Sequence, residues 1–284
     1  MLISEKKYRY LLPLIPFMII VLFYLMIPLG NLIVKSFLRE GELTFTLEHY
    51  RALFGKQYYI QAIINSLMIA LVSAGIGMFI ALFAANAANH ANTKSKNRFL
   101  AILNMTSNFS GIPLAFAYII LLGNTGILVM LGKRLGIESL AHFNVYTITG
   151  LIITYVYFQI PLATLLLIPA FEGLRKEWKE ASLILRANGF QYWIYVGIPI
   201  LLPSVFSTLS VLFANALAAY ATAYALLASN FSLLPIRISE MFVGDVYQRP
   251  GLGAALSVIM MILMVTAVYI NQYLLKKVKG GEGR

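Results

Sequence analysis

Residues 180–203 read EASLILRANGFQYWIYVGIPILLP, a polar and amphipathic segment held between two long apolar runs. In a chain of 284 residues that is 60% hydrophobic, such a segment marks a surface that something in water must touch. Upstream of it and into it, Leu174, Trp178, Ala181 and Leu185 recur at spacings of four, three and four, one face of a helix. Arg175, Lys176, Glu177, Lys179 and Glu180 fill the rest. Asn188-Gly189 then offers a helix stop, because both residue types tolerate a left-handed backbone. A second apolar-aromatic segment, Phe190 to Val196, leads to Pro199 and Pro203 at the start of the next run. The expected shape is helix, turn, helix at the membrane surface, and its simplest reading is an amphipathic helix resting among lipid headgroups.

A mean hydropathy of +0.80 with only 12% charged residues places the chain among integral membrane proteins. Its apolar runs are continuous rather than alternating, which excludes barrel strands and makes the class all-α. Six transmembrane helices are expected over about 11–34, 60–88, 99–122, 146–170, 200–227 and 253–275, in a single transmembrane domain, 1–284. Lys6, Lys7 and Arg9 precede an apolar stretch with no small-residue cleavage site, so that stretch reads as an uncleaved first span. Fourteen of the 22 Lys and Arg residues fall in the N-terminus, the 89–98 loop, the 171–197 loop and the tail. Both termini and the 171–197 loop are therefore expected in the cytoplasm. The net charge of +11 lies in short clusters between apolar runs, the pattern of membrane topology and not of nucleic-acid binding.

The chemistry-bearing residue types argue against an enzyme. There are no cysteines, and His49, His90 and His142 fall in separate loops, so neither a metal site nor a catalytic His arrangement is encoded. The sequence GNTGILVMLGKR (123–134) fails the phosphate-loop pattern, since Lys133 is followed by Arg134; no nucleotide site is present. Sequons at Asn104, Asn108 and Asn230 read as chance. Ionisable residues lie outside the span interiors, which counts against the alternative class, an ion-coupled secondary transporter.

The spans carry small and weakly polar residues instead. Ala70, Ser73, Gly75, Gly77, Ala81, Ala84 and Ala85 suit close helix packing in span two. Span three holds Asn104, Thr106, Ser107, Asn108 and Ser110 just before Gly111 and Pro113; span four holds Gln159 and Pro161 near its middle. Ser107, Asn108, Asn215, Tyr220, Thr222 and Tyr224 are the candidates for a solute path, with helix-to-helix hydrogen bonding as the competing role.

The 180–199 segment resembles the cytoplasmic loop of the permease subunits of binding-protein-dependent ABC importers, whose pattern is E-A-A, three residues, G, nine residues, I-x-L-P. Glu180 and Ala181 match, Ser182 replaces the second Ala, Val196 and Ile198 stand for Ile and Leu, and Pro199 is in place. The Gly position holds Arg186, which moves the expected turn to Asn188-Gly189 or lengthens the first helix. The likeness extends to Asn65-Ser66-Leu67 and to the stretches 110–128 and 234–242, which look like segments of the polyamine, ferric iron, thiamine and phosphonate branches.

The resemblance implies half of a translocation path in the bacterial inner membrane and a second permease, identical or homologous. It also implies two cytoplasmic ATPases that bind ATP and magnesium in place of this chain, and an extracytoplasmic solute-binding protein. It gives residues 174–199 an ATPase-coupling role: Glu180 as ionic anchor, Leu174, Trp178, Ala181 and Leu185 as the docking face. Ser182, Arg186, Asn188, Gly189 and Pro199 shape the loop.

Overall fold

The structure, a computed structural model, describes residues 13–42, 44–227, 231–243 and 248–281. Lys6, Lys7, Arg9, the start of the expected first span and the sequon at Asn230 lie outside the described residues, as do the side chains of Lys277 and Lys279. In chain order the helices are α1 (Leu14–Ser36), α2 (Glu48–Gly55), α3 (Gln57–His90), α4 (Thr93–Ser107), α5 (Ile112–Leu122), α6 (Ile127–Leu135) and α7 (Glu138–Ala141). There follow α8 (Ile148–Glu172), α9 (Lys176–Ile184), α10 (Gly189–Ala218), α11 (Tyr220–Leu227), α12 (Leu234–Val243) and α13 (Pro250–Gly281). Among the described residues there is no strand beyond an isolated bridge between Leu38 and Phe45.

Six segments are long and apolar enough to cross a membrane: Leu14–Ser36, Gln57–His90, Ile112–Leu135, Ile148–Glu172, Gly189–Ala218 and Pro250–Lys276. The all-α class and the number of spans agree with the sequence. Span three does not lie at 99–122. Gly111, at φ 73 and ψ −145, breaks the chain after the polar patch, in a region of backbone space open almost only to glycine. Pro113 then opens α5, and the crossing is completed by α6. Span five also shifts toward the N-terminus. It begins at Gly189, so Phe190 to Val196 forms its first turns rather than a separate helix, and it ends at Ala218 instead of 227.

Two interruptions share one cause. A π-helical turn over Leu22–Met26 ends two residues before Pro28, and another over Trp193–Gly197 ends two residues before Pro199. Proline lacks an N–H and its ring crowds the carbonyl four residues back, and a widened turn lets the ladder continue past it. The amides of Ile27 and Ile198 accordingly reach five residues back, to the carbonyls of Leu22 and Trp193.

The chain folds as two compact units. In the first (Met1–Ile60 with Arg237–Met261), α1 buries none of its apolar residues. The Tyr50 hydroxyl donates to Ser36 Oγ at 2.9 Å, and Phe37 stacks on Phe45. Arg237, itself buried, bonds Glu240 at 2.5 Å and lies 4.1 Å from the centre of the Tyr58 ring.

The second unit (Gln61–Ile236 with Ile262–Arg284) is built on α3, α8 and α10. One face of α3 is small and buried: Ala70, Ser73, Ala74, Ala81, Ala85 and Ala88. Gly77 lies on that face, whereas Gly75 is exposed with open space around it. Small side chains let the helices approach closely, as hydrocarbon surroundings give them no hydrophobic reason to associate. The buried cluster continues through Leu167, Phe171 and Leu201, with Leu174 and Trp193 packed against it.

Candidate functional site

The polar segment between spans four and five folds into a short helix, a turn and the start of the next helix. Arg175 precedes α9, and the helix ends in a complete pair of C-terminal hydrogen bonds. The Arg186 amide donates to the Leu183 carbonyl at 2.9 Å and the Ala187 amide to the Ser182 carbonyl at 3.0 Å. This geometry needs a left-handed residue, and Arg186 supplies it with φ 58, the one non-glycine residue at positive φ among those described. The turn therefore sits at the position where the resembled pattern has glycine. It neither moves to Asn188-Gly189 nor lengthens the helix. Asn188 is extended (φ −79, ψ 169) and starts the next helix. Its side chain accepts the Gln191 amide while Gln191 returns the bond to the Asn188 amide, both at 2.8 Å.

The expected apolar face is out of phase by about one residue. Because α9 begins at Lys176, Leu174 lies outside it and packs inward with the buried cluster. Trp178 is half-buried with the Arg175 guanidinium 5.8 Å from its ring centre, and Ser182 is buried, its hydroxyl bonded to the Lys179 carbonyl. Ala181 and Leu185 do face outward, beside Glu177 and Glu180. Sequence reasoning missed two of their neighbours: Ile184 is 83% exposed and Phe190 75%, on either side of the Arg186 turn, against 82% for Leu185. Leaving a large apolar side chain unburied within the chain forgoes roughly 1.5–3 kcal/mol each. The missed signal was the capping pair Asn188 and Gln191, which fixes where the second helix starts and hence which way Phe190 points.

At the far end of this element, Pro199 follows the π turn and Gly197 lies under the Trp193 ring, where a Cβ would come within 2.5 Å of Cε3.

The solute-path candidates fall at two helix breaks. Ser107 and Asn108 end α4 and bond the Asn104 carbonyl of their own helix, at 3.1 and 2.8 Å. Thr222 is buried, and its hydroxyl donates to the Gly111 carbonyl at 3.2 Å, joining the break after α4 to the break between α10 and α11. Tyr220 and Tyr224 stack on each other one turn apart, with centroids at 5.3 Å, and Asn215 is exposed one turn before the break. Tyr155 is an addition, since its hydroxyl donates to the Ala219 carbonyl at that break. The alanine run ANALAAYATAYALLA carries no local stop signal, and the stop comes from this tertiary bond. Gln159 is wholly buried; its amide nitrogen reaches the Leu212 carbonyl at 2.8 Å while its oxygen has no partner. Among the described residues no three His, Cys, Asp or Glu side chains gather as a metal ligand set.

The family described as "Binding-protein-dependent transport system inner membrane component" matches residues 77–280. The thiamine transport system permease protein ThiP of Haemophilus influenzae is 26% identical over 194 residues, 68% of this chain and 34% of that protein. The chain thus spans about a third of that relative's length. The spermidine/putrescine transport system permease protein PotC of the same organism is 24% identical over 265 residues, 92% of this chain and 95% of the relative. The fold is that of a solved bacterial ABC transporter chain involved in the import of the polysaccharide alginate. The TM-score is 0.72 at 15% identity, covering 95% of this chain and 96% of that one. Match, relatives and fold agree: the chain belongs to the family of inner membrane components of binding-protein-dependent transport systems.

Proposed function

We propose that the chain is a permease subunit of an ATP-driven importer, forming half of a path for a small polar solute of the polyamine, thiamine, ferric iron or phosphonate kind. It pairs with a second permease, identical or homologous, and receives solute from an extracytoplasmic binding protein. ATP and magnesium are bound by two separate ATPase subunits on the cytoplasmic side, where both termini also lie. The segment 174–199 is the lever on which those ATPases act.

One observation supports this reading most. The capped turn at Arg186, which joins α9 to α10, leaves Ile184, Leu185 and Phe190 exposed, with Glu177 and Glu180 exposed on α9. Arg175, Lys176, Glu177, Lys179 and Glu180 give this patch an exposed rim of both charges, which suits a complementary protein cleft. Closing of the ATPase dimer pulls the lever, and α8 and α10, joined to its two ends through short connections, carry the motion into the spans. A charged hydrogen bond from Glu180 to the ATPase is worth about 1.5–3 kcal/mol. On the solute side, the breaks at Gly111 and Ala219 bring backbone carbonyls and Tyr hydroxyls to a place where continuous helices would offer only alkyl surface.

The test is co-purification. The ATPase encoded for this importer is retained by the wild-type permease and lost when residues 177–188 are replaced by a Gly-Ser linker. Retention of the ATPase by the linker variant overturns the reading.

A further inference from the structure

We infer that the turn between α3 and α4 is a brace for the lever, with Asn89 and Lys96 as its positioning residues; the inference rests on the coupling role proposed above for α9. The last carbonyls of α8 have no helical donors left. The Asn89 side-chain amide adds a tertiary donor there, reaching the Phe171 carbonyl at 3.2 Å across 82 residues of sequence. The next residue, Glu172, takes the Lys96 ammonium in an ion pair across 76 residues. Lys96 is only 19% exposed against 49% for Glu172, so the cation lies between the turn and the helix end instead of reaching out to a surface partner. A cation at a helix C-terminus is also favoured by the helix dipole.

What makes this more than a helix cap is what else meets at the same two residues. The Phe171 carbonyl also accepts the amide of Leu174, the first residue of the lever segment, two before α9. The Phe171 ring, buried, lies 6.4 Å from the ring of Trp193, at the lever's other end. Both roots of the lever thus converge on Phe171, and the α3–α4 turn holds Phe171 and Glu172 from the opposite side. A pull on the lever is then shared with α3 and α4 and does not travel up α8 alone.

The chain has no cysteine, so a single thiol can be placed without background. The permease carrying His90→Cys is labelled with bimane at the exposed end of α3 and assembled with its ATPase subunits in lipid nanodiscs. It is then read with and without ATP plus vanadate. The unaltered brace gives an emission shift on trapping. Lys96→Glu cuts that shift at least threefold while the ATPase stays bound, Lys96→Arg keeps it, and the swap Lys96→Glu with Glu172→Lys restores it. An undiminished shift in Lys96→Glu, no rescue by the swap, or no shift with the brace intact overturns the proposal. Leu185→Asp separates the two levels. If that variant still binds the ATPase, the coupling role itself falls and the brace with it. If it does not bind while Lys96→Glu shifts normally, only the brace falls.

Discussion

A Cβ atom on Gly77 would lie 2.7 Å from the Cβ of Gln159, so α3 meets α8 there through a bare backbone. Gly75, two residues away, has nothing within 4 Å of the same construction. Overpacking a buried contact costs about 1–3 kcal/mol, and alanine returns about 1 kcal/mol of helix propensity. Gly77→Ala is therefore expected to lower stability by about 1–2 kcal/mol, while Gly75→Ala is neutral or stabilising by up to about 1 kcal/mol. Denaturant unfolding of the purified permease in detergent measures both.

Ile184→Asp and Leu185→Asp alter side chains that touch almost nothing in this chain. Each is expected to change stability by no more than about 0.5 kcal/mol and to reduce co-purified ATPase at least tenfold. Glu180→Ala is expected to leave assembly intact and to remove solute-stimulated ATP hydrolysis. Stimulation at the wild-type level in Glu180→Ala would show that the carboxylate does not couple.

Arg186 holds a left-handed backbone at a cost of roughly 1–2 kcal/mol for a residue with a Cβ. Arg186→Gly removes that strain and loses about 0.5–1 kcal/mol to the freer unfolded chain, for a net gain of up to about 1 kcal/mol. Arg186→Val, with a β-branched side chain, is expected to unwind the end of α9. Hydrogen exchange at the amides of residues 186 and 187 reads the difference: slower in the glycine variant, faster in the valine variant.

Tyr155 and Thr222 both act on the break that separates α10 from α11. Tyr155→Phe and Thr222→Val each remove one hydrogen bond to a carbonyl, a loss of about 0.5–1.5 kcal/mol, and the Gly111 carbonyl keeps the Ala115 amide as a donor. The bonds lie three residues apart along one break, so the double variant is expected to lose at least about 0.5 kcal/mol less than the two single losses together. Additive losses in unfolding measurements would mean that the two bonds hold independent sites.

The sequence carried the all-α class and the number of spans because these depend on composition and on the length of the apolar runs, whereas spans three and five moved because Gly111 and the Asn188 cap reset where their helices start. Reading the face of α9 failed because a helical wheel needs a starting residue. Leu174 and Leu185 sit just outside α9 at either end, so the wheel drawn through them was turned away from Ile184. The break at Ala219 could not be read locally, since its cause is a hydroxyl 64 residues upstream. Arg186 was legible as a departure from the pattern but not as a left-handed residue, because arginine rarely takes that backbone.

The π turn at Trp193–Gly197 has a consequence for evolution and engineering. It holds one residue more than a regular helix of the same length, and an α-helix rotates by about 100° per residue. Deleting a single residue there, with Pro199 replaced by alanine, would relax the turn to α geometry and swing everything before it by that angle. The azimuth at which the Asn188 cap and the Arg186 turn meet a partner is thus written in a residue count, and drift in that count would re-aim the docking surface without altering any residue on it.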